Sequence, residues 1–190
     1  STIKPLQAKQ GVAMGPQQLM TLAGGCFWCL EAVYEQVEGV LAVESGYSNG
    51  HAVAPTYEQV CSGATGHAEV VRVRFDPQQV SLSEILEIFF AIHDPTTLNR
   101  QGHDVGTQYR SAIYTHDDDQ DAVVRDVLAQ VQAALQGRAV TEVAREAGYT
   151  RAEDYHQHYH ARHPEQGYCA HVIEPKLEKF RRTFSRHRRR

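Results

Sequence analysis

Two cysteines, Cys26 and Cys29, bracket Phe27 and Trp28 directly after Gly24-Gly25. The thiolate is the reactive form of cysteine. At the start of a helix, free backbone N–H groups and the helix dipole lower its pKa from about 8.5 to between roughly 3.5 and 7.5. Cys26 has that placement if a helix begins there, although an inert buried thiol fits the position equally well. Gly25 allows a substrate to approach the backbone closely, and Phe27 and Trp28 offer aromatic surface to a small apolar group or are plain core. The Cys-x-x-Cys spacing is itself that of redox-active disulfides. Glu69 has the parity of the buried face of an alternating stretch, where desolvation raises a carboxyl pKa, although a glutamate at a strand end is more often a solvated surface charge.

These residues need elements to hold them. Leu19 to Ala23, the glycine pair and the run to Tyr34 read as strand, turn and helix, closed by Gly39 and followed by a strand over Val40 to Glu44, a candidate βαβ unit. Gly46 to Thr56 is loop, and Tyr57 to Cys61 is one short helical turn. Glu69 to Phe75 alternates with period two, as a half-buried strand does. Ser81-Leu82-Ser83-Glu84 is a capping box that opens a helix stopped by Pro95. A polar loop from Thr96 to Gln108 leads to a strand at Arg110 to Thr115, then an acidic helix start at Asp117, then a strand within Ala139 to Arg145. A second capping box, Thr150 to Glu153, predicts a helix reaching about His163, and Pro175 to Phe184 a last one. Mixed strands and helices around one sheet give an α+β, two-layer α/β sandwich. The expected division is a loosely ordered extension over 1–18, one catalytic domain over 19–185 and a solvated basic tail over 186–190.

Composition removes several classes. The chain has 190 residues, 42% apolar and 22% charged, and no apolar run approaches the roughly 20 residues of a membrane helix. A net charge of −4 offers no general grip on nucleic acid. Four cysteines are too few for a secreted disulfide scaffold, and no secretory signal is recognisable, so a cytoplasmic location is expected.

The block Gly24-Gly25-Cys26-Phe27-Trp28 resembles the signature of the A-type peptide methionine sulfoxide reductases. Further blocks resemble the family in order: Gly46 to Gly50, Pro55 to Tyr57, Val60 to Gly63, Thr65 to Glu69, Arg100 to Gly102, Asp104 to Ser111, Ala152 to Gln157 and Gly167 to Cys169. The resemblance implies a ferredoxin-like (split βαβ) core with extended loops and a C-terminal helical segment. It implies reduction of the S epimer of methionine sulfoxide, free or in peptides, with thioredoxin or dithiothreitol as reductant, no bound organic cofactor, and action as a monomer. It makes Cys26 the attacking thiolate and Glu69 the acid that protonates the sulfoxide oxygen. Tyr57, Asp104 and Tyr109 become supporting polar groups, and Phe27, Trp28 and Tyr168 the walls of a methyl pocket. Oxygen transfer leaves a sulfenic acid that condenses with a nearby thiol. The Gly-Tyr-Cys position points to Cys169 as that thiol. Cys29 is a departure from the family, where glycine is common, and is the alternative; Cys61 reads as a small buried hydrophobe.

Two rival readings use the same residues. His156 and His160, four apart on the expected helix, would complete a tetrahedral zinc set with Cys26 and Cys29; the expectation is nonetheless of no metal. A hydrolytic zinc helix fails, because Gln157 stands where a glutamate is needed. A general disulfide oxidoreductase using Cys26 and Cys29 lacks the proline-bearing context expected of that chemistry.

Overall fold

The computed structural model describes residues 16–190. Most of the extension expected to be loose lies outside the described residues. Strand β1 (Gln18–Gly24) is the centre of a six-stranded sheet. Gly25, at φ +94°, turns the chain from β1 into helix α1 (Phe27–Tyr34). Then follow β2 (Val40–Ser48), the short α2 (Tyr57–Cys61), β3 (Ala68–Phe75) and α3 (Leu82–Ile92). The α3 cap is the expected one, with Ser81 Oγ and the Glu84 carboxylate each accepting a backbone N–H at 3.1 Å.

A two-stranded hairpin, β4 (Arg100–Gln101) and β5 (Asp104–Val105), leads to β6 (Ser111–Thr115), α4 (Asp118–Ala134), β7 (Glu142–Arg145) and β8 (Thr150–Arg151). The short α5 (Tyr159–Arg162) and the final α6 (Glu174–Thr183) complete the chain.

The main sheet has the order β7-β6-β1-β3-β2-β8. Both β1 and β2 run antiparallel to β3, which lies between them, so the β1-α1-β2 unit is split by a strand from later in the sequence. The expected mixed α/β sandwich is therefore present, with the first and second strands parallel but not adjacent. Val71, Val73 and Phe75 face a core shared with Leu30, Ile85, Phe89, Val124 and Phe180 of the helices, while Val70 joins Tyr114 on the opposite face. That alternation is the pleat acting on the sequence pattern. No helix among the described residues is long and apolar enough to cross a membrane.

Three expectations are corrected. The helix over Thr150 to His163 does not form as one piece. Thr150 and Arg151 pair with Tyr47 and Gly46 instead, and a 3-10 turn at Asp154–His156 is separated from α5 by His158 at φ +56°. The Gln157 side chain is why: it bonds both the N–H and C=O of Ser45, at 3.0 and 2.9 Å, and so acts as a further strand rung. Cys61 is exposed, not buried, because it ends the surface turn α2. The basic tail is docked. Arg188 bridges to Val37, the Glu38 N–H bonds His187 O at 2.7 Å, and the Arg189 guanidinium reaches the carbonyls of Val37 and Val40. These carbonyls lie in the connection from α1 into β2, to which the arginine donors tie the chain end.

Glu31 on α1 is 1% exposed and accepts from Ser45 Oγ and the Tyr159 N–H, both at 3.3 Å. Burial, and then the charge of Glu35, push its carboxyl up to about 8. The folded form therefore keeps a proton up to about pH 8 that the unfolded chain releases near 4.5. The stability this proton contributes is full below about 4.5 and is lost as pH rises through 8. Glu31→Gln keeps both contacts without a proton. Its melting temperature should match the parent's near pH 5 and exceed it at pH 8.5, by roughly 2–4 °C per kcal/mol recovered; equal melting at both pH values would refute the assignment.

Candidate active site

Cys26 is the N-cap of α1, with extended backbone angles (φ −63°, ψ 128°) and no capping side chain. Its thiol receives the backbone N–H of Trp28, the helix-terminal contact that favours a thiolate. Burial nevertheless pushes the Cys26 thiol well above its usual range, and the charges of Glu69, Cys29 and Asp104 push in the same direction. Burial and the neighbouring negative charges thus oppose the helix terminus at this thiol and favour its uncharged form.

The register of the sheet brings Glu69 here. Leu22 pairs with Val71, so two residues further along Glu69 lies level with the end of β1, where the chain turns toward Cys26. Its other neighbour across the sheet is Tyr47. Glu69 is 1% exposed, and its Oε1 accepts the N–H of Phe27, the residue after Cys26, at 3.1 Å. Burial dominates its proton affinity and holds its carboxyl at about 8, with Asp104 adding and the Phe27 N–H opposing. At neutral pH it carries a proton in an almost waterless place, which suits a proton donor.

Tyr109, on the 3-10 turn after β5, feels the charges of Glu69, Asp104 and Cys26 together, so these four groups converge. Burial first and those charges next raise its phenol, keeping it a hydrogen-bond donor. Tyr57 starts α2, with its N–H on the Glu153 carboxylate at 3.0 Å and its hydroxyl bonded to Cys61. Asp104, on β5, accepts the Tyr168 hydroxyl at 2.7 Å.

The aromatic groups divide. Phe27 is fully enclosed against Tyr47 and His156, with ring centroids at 5.7 and 5.1 Å. Trp28 is half-buried; it stacks on Tyr159 at 3.7 Å, meets Tyr168 edge-on at 5.9 Å, and donates its indole N–H to His156 Nδ1 at 3.1 Å. His156 is thus held by a structural hydrogen bond. At Gly25 any Cβ would lie 2.7 Å from the Gln101 side chain, so only glycine leaves the approach to Cys26 open.

A cleft of about 160 Å³ opens over Cys26 and Cys29, lined also by Gln101, Asp104, Tyr168 and Lys176. Cys169 is not on its wall; it is fully buried in the main core. The sequence does not single out Tyr159 or Lys176, which arrive from late segments with no motif of their own, and it marks Glu153 only as part of a helix cap, whereas its carboxylate takes the Tyr47 hydroxyl and the Tyr57 N–H.

The zinc set does not assemble. His156 is bonded to Trp28 and His160 to Glu174, on different elements. Among the described residues the group close enough to hold a metal is Glu31, Glu35 and His158, at the other end of α1.

A family model described as peptide methionine sulfoxide reductase matches residues 18–188. The curated peptide methionine sulfoxide reductase MsrA of Polynucleobacter asymbioticus is 55% identical over 166 residues, 86% of this chain and 87% of that protein. Among solved structures, reduced Mxr1 from Saccharomyces cerevisiae superposes with a TM-score of 0.77 at 34% identity, covering 84% of this chain and 94% of that one. Mxr1 in complex with Trx2 matches with a TM-score of 0.55 at 24% identity, covering 79% and 91%, a likeness of fold alone.

Proposed function

The chain belongs to the peptide methionine sulfoxide reductase family, an oxidoreductase family, and from that premise we propose that Cys26 takes the oxygen atom of the sulfoxide while Glu69 supplies the proton that lets it leave carbon-bound sulfur. The observation that carries this reading is Cys26 at the N-cap of α1 with the buried Glu69 carboxyl bonded to the first N–H of the same helix.

Attack on the sulfoxide sulfur builds negative charge on its oxygen, and proton donation from Glu69 removes that charge as it develops. Protonation also makes the sulfur electrophilic. The Cys26 sulfur bonds to it, and the thiol proton passes to the Glu69 carboxylate. The oxygen, as hydroxyl, then moves from the substrate sulfur to Cys26 as the bond between the two sulfurs breaks and its electron pair returns to the methionine sulfur. The products are methionine and a Cys26 sulfenic acid, with no net proton gained or lost. Tyr109 donates a hydrogen bond to the oxygen, Tyr57 does so once its hydroxyl turns from Cys61, and Asp104 orients Tyr168. The sulfenic acid is resolved by an intramolecular disulfide, which a dithiol such as thioredoxin or dithiothreitol reduces. The S epimer is the one whose oxygen meets Glu69 while its methyl lies against Trp28. No organic cofactor enters this scheme, since sulfur carries both electrons.

The test is methionine formed from the separate S and R epimers of a blocked methionine sulfoxide with dithiothreitol; no methionine from either would overturn the reading. Trp28 carries a further expectation. Its ring is fixed by Tyr159 and His156, so Trp28→Ala removes the aromatic face proposed to receive the methyl group. KM should rise roughly 10–100-fold, more than kcat falls, because a small apolar contact is worth about 1–3 kcal/mol. Steady-state kinetics showing an unchanged KM would remove Trp28 from the methyl pocket.

A further inference from the structure

An oxidised Cys26 needs a second thiol, and the three other cysteines stand very differently toward it. Cys61 is exposed on α2, with the Tyr57 hydroxyl bonded to it. Cys169 is fully buried in the core beside Ile173 and Leu177, and Glu174 is the one charged side chain that acts on it. Cys29 lines the same cleft as Cys26, and its charge raises the proton affinity of the Cys26 thiol.

Cys29 is three residues after Cys26 on the first turn of α1, and its N–H bonds the Cys26 carbonyl at 3.1 Å. Residues so spaced on a helix have Cβ atoms about 5–6 Å apart, against roughly 3.5–4.5 Å in a closed disulfide. Tightening of one terminal turn brings them together. A bond between Cys26 and Cys169 instead requires Cys169 to leave a packed core at the head of the helical run Cys169–Ile173.

The surroundings of Cys29 are also those of a working thiol. Burial raises its pKa, and Asp104 and Glu69 add to that, but the Lys176 ammonium from α6 and the Tyr168 hydroxyl oppose them. Tyr168 Oη stands 3.7 Å from Cys29 Sγ and 2.7 Å from the Asp104 carboxylate. The Tyr168 hydroxyl can turn from Asp104 to donate to a Cys29 thiolate, which is the sense in which it lowers the thiol's pKa. Lys176 lines the cleft and offers the positive charge a thiolate needs there.

We propose that Cys29, not Cys169, closes the disulfide on Cys26, and that Lys176 is a positioning residue that holds the Cys29 thiolate at the cleft wall. This rests on Cys26 being the oxygen acceptor. The Cys29 thiolate attacks Cys26 Sγ, the S–S bond forms and the S–O bond breaks. The hydroxide leaves with one proton as water. A dithiol reductant then returns two electrons and two protons to the pair.

The experiment is one addition of methionine sulfoxide to the reduced full-length protein without reductant, followed by free-thiol counting and mapping of disulfide-linked peptides after cleavage at Phe27 and Trp28. The wild type should release one methionine per chain, lose two thiols and yield a Cys26–Cys29 linkage. Cys169→Ser should lose the same two thiols. Cys29→Ser should leave a Cys26 that dimedone labels. A Cys26–Cys169 peptide from the wild type, or undiminished disulfide in Cys29→Ser, overturns the inference; no methionine from the wild type would instead defeat the underlying reading of Cys26. Lys176→Met should accumulate sulfenic acid, closing the disulfide about 10-fold more slowly at pH 7 and shifting the pH midpoint of closure upward, since loss of a neighbouring charge changes the thiolate fraction by about that factor. Lys176→Arg should restore both. A Lys176→Met protein with the wild-type pH profile removes Lys176 from the mechanism.

Discussion

Cys26→Ser reduces no sulfoxide above the rate of the reductant alone, a loss on the order of 10⁴-fold or more of the kind that follows removal of a nucleophile. The size of the effect follows from what serine cannot do. The oxygen of the substrate must end on an atom that can accept it, and a hydroxyl has no oxidised form corresponding to a sulfenic acid. Folding should not suffer, because serine is a favoured N-cap and Cys26 occupies that position without any capping bond of its own. Methionine formation with dithiothreitol, set beside a thermal melt of the same preparation, separates the two effects. A folded Cys26→Ser protein that still turns over at the wild-type rate would show that another sulfur does the work.

Glu69→Gln comes next in size, with kcat/KM expected to fall about 10²–10⁴-fold, the range that positioned proton donors contribute. The amide is close in shape and can still accept the Phe27 N–H, so the loss reports the proton and not the cavity. The pH dependence sharpens the test. Glu69 in the folded protein keeps its proton up to about pH 8, so wild-type activity should fall as pH rises through that value. Glu69→Gln has no such proton to lose, and this limb should vanish from its profile. The same proton contributes stability that is full below about pH 4.5 and lost through 8, so alkaline melting curves should improve in Glu69→Gln while activity drops. A variant with wild-type rates and an unchanged alkaline limb would assign the proton to another group.

Much of this arrangement was legible in the residue pattern because local rules sufficed. The alternation from Val71 to Phe75 gave the strand and put Glu69 on its helix-facing side, and the Ser81–Glu84 box gave the start of α3. The Gly24-Gly25-Cys26 turn placed a thiol at a helix N-terminus, where it is found. What local rules could not supply was long-range. The capping signal at Thr150 to Glu153 yields to the sheet edge, where Gln157 takes the Ser45 backbone and Glu153 takes the Tyr47 hydroxyl at 2.8 Å and the Tyr57 N–H. Nothing near the basic end in sequence explains its charge, and its partners lie some 150 residues away in the connection from α1 into β2. The proton affinity of Cys26 depends on a balance between a helix terminus, which sequence reveals, and burial beside Glu69 and Asp104, which it does not.

The passage of oxygen to Cys26 is tested most directly in a Cys29→Ser/Cys169→Ser protein given one equivalent of methionine S-sulfoxide with dimedone and no reductant. The expected result is one methionine released per chain and one dimedone label, found by peptide mass spectrometry on Cys26. Methionine released with Cys26 unlabelled, or with the label on Cys61, would contradict it.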